Sequence, residues 1–241
     1  MRRISMPGGS VIIAVVQHRL RDSAEEDARA LASAASRAAE GGAELIVFPE
    51  VPSLHEHPAR EDLYAQLDPL EDRVPWIVPH AGPDCIGQSW SPEVLPGLEG
   101  LGSVALAVGD AVIDPAAIGR LALERPALLV AAPRSESDLQ AEAVLELALG
   151  LSDSVTGLVI VIEPSGAEPG QPGHGGSAVA MYGEMVAEAT EDEDVLLANV
   201  VVPVPQPEPR GPIPGVPPIL LQRLAHHRGE RVPVDYPADP S

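Results

Sequence analysis

The 241-residue sequence contains no lysine; all fifteen basic side chains are arginine. Any chemistry that needs a side-chain ammonium group is therefore closed to this chain. Cysteine is almost absent as well. With Cys85 alone, no internal disulfide can form, which fits a reducing compartment. Aromatic residues make up 2% of the chain although hydrophobic residues reach 45%, so the interior must be built from Ala, Val, Leu and Ile without ring stacking. Membrane-length apolar runs are missing too. Val11–Val16 is far too short to cross a bilayer, and Met1-Arg2-Arg3-Ile4-Ser5 leads into no extended apolar stretch, so a cytoplasmic protein is expected. Positive charge is scarce: 36 acidic against 15 basic side chains give a formal charge of −21. Such a field repels phosphate backbones and anionic head groups, and neither nucleic acid nor a membrane is expected as a partner. Arginine as the sole strong base, beside abundant Ala, Gly and Pro, points to a GC-rich bacterial coding sequence.

What is present reads as one α/β domain followed by a tail. Val11-Ile12-Ile13-Ala14-Val15-Val16 is a continuous β-branched run, the pattern of a strand buried on both faces. Ser23 with Glu26 forms a capping box, and Ala24, Ala28, Leu31, Ala35 and Ala38 recur at helical spacing until Gly41-Gly42. Leu45-Ile46-Val47-Phe48 is the next buried strand, which completes a βαβ-like unit. Residues 51–101 are rich in proline; the sequence predicts a helix over Arg60–Leu67, a short strand at Trp76-Ile77-Val78 and otherwise irregular chain. Strands are predicted at 103–108, 127–131, 158–162, 177–181 and 195–202, with helices over 115–124 and 137–149. The acidic run Glu191-Asp192-Glu193-Asp194 reads as a solvated turn. Residues 203–241 hold eleven prolines, which excludes a central strand or a long helix; only Ile219–His227 can be helical. A tail of this kind is either partly disordered or laid along a neighbouring subunit.

The order of these segments resembles the nitrilase superfamily of carbon–nitrogen hydrolases. In that family a strand ending near Gln opens the domain, as in Val11–Gln17, and a later strand ends in Phe-Pro-Glu, as in Phe48-Pro49-Glu50. Gly102–Val130 is similar to the segment that carries the family's nucleophile elbow: strand, Cys-x-Asp, a proline, helix, strand. Anchored on Pro115 and Leu121-Ala122-Leu123, the match puts Gly109 at the nucleophile position, Asp110 beside it, and the motif's Asp at Ala111. Glu163-Pro164-Ser165-Gly166 stands where the family has an Asn and a Gly, Gly175-Gly176-Ser177 resembles the entry to the next strand, and Tyr182-Gly183-Glu184 the hairpin turn after it. Arg231–Tyr236 is similar to the closing segment of many members.

The resemblance covers most of residues 11–202. It implies a four-layer α-β-β-α sandwich over residues 1–202, shortened between Glu50 and Gly102, with residues 203–241 as a Pro-rich tail at a subunit interface. It also implies a Glu–Lys–Cys triad, and here the sequence departs. The Lys exists nowhere in the chain, the Cys position reads Gly109, and the family's Arg-Ala-x-Glu appears as Leu151-Ser152-Asp153-Ser154. Hydrolysis of this kind needs a thiolate to attack, a carboxylate to move protons and an ammonium to stabilise the developing charge.

The expectation is therefore a vestigial pocket of Glu50, Gly109 and Asp110 with no catalytic residue, no cofactor and no metal. Such a chain is a non-catalytic homologue serving as a structural, regulatory or ligand-binding subunit, as a homodimer or beside a catalytic relative, with a small-molecule ligand as a further option. The alternative is a hydrolase of amide-type bonds with altered chemistry at Glu50. Cys85 lies in a Pro/Gly-rich loop without elbow context and is expected to be inert. His55-Glu56-His57 with His80 and Cys85 has no fixed second pair of ligands, so no metal centre is expected there. Gly173-His174-Gly175-Gly176 lacks the Lys and helix start of a phosphate loop, and His226-His227 reads as an exposed helix end.

Overall fold

The computed structural model describes residues 9–54, 57–71, 74–79, 88–90, 103–168, 171–189, 192, 194–203 and 211–230. It opens with β1 (Ser10–Gln17), α1 (Ala24–Glu40) and β2 (Leu45–Val47). A 3-10 turn at Pro52–Leu54 leads to α2 (Ala59–Glu71), β3 (Trp76–Ile77) and β4 (Gln88–Trp90). Then come β5 (Val104–Val108), α3 (Pro115–Glu124), β6 (Leu128–Ala132), α4 (Asp138–Leu151) and β7 (Leu158–Val161). The hairpin of β8 (Ser165–Glu168) and β9 (Gln171–His174) precedes β10 (Ala178–Met181), β11 (Glu184–Glu188), β12 (Asp194–Val201) and α5 (Pro218–Arg228).

Two sheets result, one in the order β12-β1-β2-β3 and one in the order β11-β10-β7-β6-β5-β4. The side-chain period of two sorts each strand's residues between layers. Val11, Ile13, Val15 and Val47 meet Val104, Leu106, Val130 and Ile160 between the sheets. Ala14, Val16 and Ile46 turn outward onto Leu31 and Ala35 of α1 and Leu63 of α2. Ala105, Leu129, Ala131 and Val159 pack against Ile118 and Leu121 of α3 and Leu147 of α4. The architecture is the four-layer α-β-β-α sandwich. Because both faces of each sheet are covered, these strands read as unbroken apolar runs. Among the described residues, no helix is long and apolar enough to cross a membrane.

Local chemistry sets the helix limits. Ser23 Oγ accepts the Glu26 N–H at 3.3 Å, and Glu25, Glu26 and Asp27 place negative charge at the N-terminus of α1. Asp114 caps α3 by accepting the Ala116 N–H at 2.9 Å, with Pro115 at the first helical position. Ser137 accepts the Gln140 N–H at the start of α4. Tyr182 and Gly183 both take positive φ, 53° and 84°, in the tight hairpin turn between β10 and β11.

Three expectations change. The region 51–101 is more ordered than its prolines suggest. α2 runs to Glu71 with Pro69 inside its last turn, and β4 pairs antiparallel with β5. The β8–β9 hairpin is absent from the sequence reading because Gly166, Pro172 and Gly173 are poor strand formers; its register, Ser165 opposite His174, comes from pairing rather than propensity. The tail is not wholly dependent on a second subunit for cover. Leu220 and Leu224 of α5 are buried in this chain's own core beside Leu147 and Leu151, whereas Ile213 stays 48% exposed. Residues 80–87 and 91–102 of the middle stretch thought to be shortened lie outside the described residues, as does Arg231–Tyr236.

Candidate functional site

In an open α/β sheet, ligands bind beyond the carboxyl ends of the parallel strands, where the chain leaves the hydrogen-bonded ladder. Here β1, β2 and β3 run parallel in one sheet and β5, β6 and β7 in the other. Their exits carry charged residues. β2 leads through Phe48 and Pro49 to Glu50, β5 into Gly109 and Asp110, β6 through Pro133 to Arg134, and β7 through Ile162 to Glu163.

Glu50 is buried, 3% exposed, and both of its carboxylate oxygens meet Arg134. Arg134 Nε donates to Oε2 at 2.7 Å and Nη2 to Oε1 at 2.6 Å. This is a two-pronged guanidinium–carboxylate pair, the strongest geometry available to such groups. It joins the exit of one sheet to the exit of the other. The Arg134 side chain remains 34% exposed, so the cation stands between the carboxylate and solvent.

Gly109 sits where β5 breaks into a 3-10 turn, Gly109–Val112, with φ +56°. Such a left-handed residue at a strand-to-helix step is the geometry of a nucleophile elbow. A Cβ built on it meets nothing among the described residues within 4 Å. The next residue, Asp110, is drawn to α5 instead. Its Oδ1 lies 3.2 Å from Arg223 Nη2, and its Oδ2 lies 2.8 Å from His227 Nδ1. The two carboxylates expected in the pocket are thus held by different cations.

Glu163 lies beneath the Arg134–Ser135 segment. The Ser135 backbone N–H donates to its Oε1 at 2.6 Å, and its own N–H donates to Ser177 Oγ at 3.0 Å. Ser177 in turn donates its N–H to Gln17 Oε1 at 2.7 Å, which links the ends of β1 and β7 and the start of β10. Burial pushes the Glu163 carboxyl up to about 7, against the opposing pull of Ser135, His174 and Arg223. A second buried cluster, in which His18 Nε2 lies 2.6 Å from Asp27 Oδ1 while Ser53 Oγ donates to Asp27 Oδ2, ties the end of β1 to α1 and the 3-10 turn after Glu50.

Glu50 thus leaves β2 in one sheet, while Gly109 and Asp110 leave β5 in the other. The reading missed Arg134, Glu163, Arg223 and His227. A signal for Arg134 did exist: Phe48-Pro49-Glu50 and Ala132-Pro133-Arg134 are the same strand–proline–charge exit with opposite sign. Arg223 and His227 carry no such signal, since only the docking of α5 brings them to β5. Among the described residues, no group of three or more His, Cys, Asp or Glu side chains could hold a metal. His57 Nδ1 accepts the Ala59 N–H at 3.1 Å, while His55, His80, Cys85, Glu191 and Glu193 lie outside the described residues.

No protein-family model and no curated protein sequence matches the chain. Solved structures do. A carbon–nitrogen hydrolase from Helicobacter pylori G27 is similar with TM-score 0.61 at 16% identity, over 81% of this chain and 90% of that one. An amidase from Nesterenkonia sp. is similar with TM-score 0.57 at 20% identity, over 94% of this chain and 98% of that one. A cysteine-to-alanine form of a Nesterenkonia AN1 amidase, from the nitrilase superfamily, gives TM-score 0.60 at 20% identity over 80% and 92%. The chain has the fold of the nitrilase superfamily.

Proposed function

We propose that this chain is a non-catalytic relative of the carbon–nitrogen hydrolases, acting as a structural, regulatory or ligand-binding subunit of a protein complex. The observation that carries the reading is at the strand exits: glycine stands at the turn after β5, and Glu50, the carboxylate that the resemblance matches to the family's base, is closed in a two-pronged pair with Arg134. In that pair both oxygens of the carboxylate already accept charge-assisted hydrogen bonds, and the guanidinium cannot give up a proton in return. One similar amidase adds acrylamide at its active-site cysteine; the elbow of this chain has no atom that could form such a bond. Purified protein incubated with simple aliphatic amides and nitriles should release no ammonia. Gly109→Cys should not rescue turnover, because no lysine is present to stabilise the developing charge.

The rival reading is an altered hydrolase in which Glu50 activates water. The names of the similar structures favour it, as amidases and a carbon–nitrogen hydrolase. Ammonia release that disappears in Glu50→Gln would establish the rival and end the first reading. The partner class we propose is another protein subunit, either a second copy or a catalytic relative, and the native mass of the assembly tests it.

A further inference from the structure

The imidazole of His227 bridges two carboxylates that belong to different strand exits. Its Nδ1 lies 2.8 Å from Asp110 Oδ2, next to the elbow glycine, and its Nε2 lies 2.9 Å from Glu136 Oε1, two residues beyond Arg134. A neutral imidazole carries one N–H and one lone pair, so it satisfies one carboxylate and turns a lone pair on the other; only the imidazolium donates to both.

The surroundings follow the same logic. On its own helix His227 has Arg223, His226 and Arg228 as neighbours. Arg223 shares Asp110 with it, His226 lies with its ring 6.1 Å away, and Arg228 pairs with Asp114 at 3.1 Å. Facing α5 are Asp110 from the turn after β5, Asp114 from the cap of α3, and Glu136 from the exit of β6; Gln140 of α4 accepts from Arg223 at 3.4 Å. Behind Arg223, Glu163 adds a further buried carboxyl group. With His227 charged, three cations meet Asp110, Asp114 and Glu136. With it neutral, a single N–H remains for the two: Asp110 keeps Arg223, Glu136 faces solvent, and the imidazole no longer donates to both at once.

We propose that α5 is a proton-operated clasp over the strand ends: charged His227 ties the exit of β5 to the exit of β6, and loss of its proton frees the end of α5 and loosens the elbow. In support, the hydrogen bond to Asp110 raises the proton affinity of His227 above the ordinary histidine value, with Glu136 adding to it and burial opposing. The clasp is regulation of the pocket described above, but it does not depend on whether that pocket turns over an amide. Ammonia release tests the one and amide exchange the other.

Hydrogen exchange of the full chain at about pH 6 and about pH 9, corrected for the intrinsic base-catalysed rate, reads the clasp directly. Protection over residues 220–228 should fall about tenfold at the higher pH, while His227→Gln shows the lowered protection at both. Equal protection at the two pH values, or the same fall in His227→Gln, would overturn the proposal. Should that variant fail to fold, imidazole titration in the native chain decides. His227 should titrate above the ordinary histidine value, and Asp110→Asn or Glu136→Gln should each lower its midpoint. A His227 midpoint at or below that ordinary value would sink the idea.

Discussion

At the scale of single residues, Glu50 at the exit of β2 has Arg134 from the exit of β6 as its counterion. Breaking one side of a buried pair leaves a charge that neither water nor protein compensates. Because Arg134 is partly exposed, Arg134→Met should cost about 2 kcal/mol rather than the larger penalty of a fully buried partner. Arg134→Met combined with Glu50→Gln should cost less than the two changes added, which denaturant unfolding of the four proteins would show. Glu163 gives a pH signature of the opposite kind from ordinary acid denaturation. Its folded carboxyl titrates at about 7 against an ordinary 4.5, so the folded chain keeps a proton that the unfolded chain releases. That stability is complete below about pH 4.5 and is lost as pH rises through about 7. Glu163→Gln cannot ionise and still offers Oε1 to the Ser135 N–H. It should stabilise the protein by up to about 3 kcal/mol at pH 8 and leave it nearly unchanged at pH 4.5, as thermal melts at the two pH values would report. Glu50 and Gly109 were legible in the sequence because they occur in short ordered motifs. Glu163 was read only as part of a segment standing where the resembled family has an Asn and a Gly; no sequence pattern signals its raised proton affinity, which burial sets.

At the scale of elements, α5 departs furthest from what its surroundings in the chain suggest. It follows a run of prolines and starts on Pro218, yet it seats Leu220 and Leu224 against α4 and the sheet beneath. Helical periodicity alone could not choose between that seat and one on another subunit. The choice is made by shape and by charge, because the basic end of α5 meets the acidic exits of β5 and β6. Leu224→Ala should therefore destabilise the isolated chain by about 2–4 kcal/mol, the cost of an unfilled core site. An unchanged unfolding midpoint would mean that the seat is not formed in the chain by itself. Elsewhere the elements were largely readable: α3 and α4 as helices over 115–124 and 137–149, β1, β2, β5, β6 and β7 from apolar runs. The β8–β9 hairpin and β4 were not, since their residues have little strand preference and their order comes from pairing partners distant in sequence.

For the whole molecule, composition determined a good deal by itself. The absence of lysine removed one member of the implied triad whatever the fold, and the Ala/Val/Leu/Ile interior with few aromatics required thin, regular layers. Strands apolar on both faces demanded cover on both sides, which is the physical content of an α-β-β-α sandwich. The charge of −21 set the character of the surface. What only the tertiary structure decided is which charges meet. The pairs Glu50–Arg134 and Asp110–His227 span 84 and 117 positions of sequence, and no local pattern encodes such a meeting. Strand exits distant in the chain converge because the strands of each sheet are locked in register and the two sheets pack face to face. The apolar pattern fixes that packing, while the polar partners at its rim are selected by position in space.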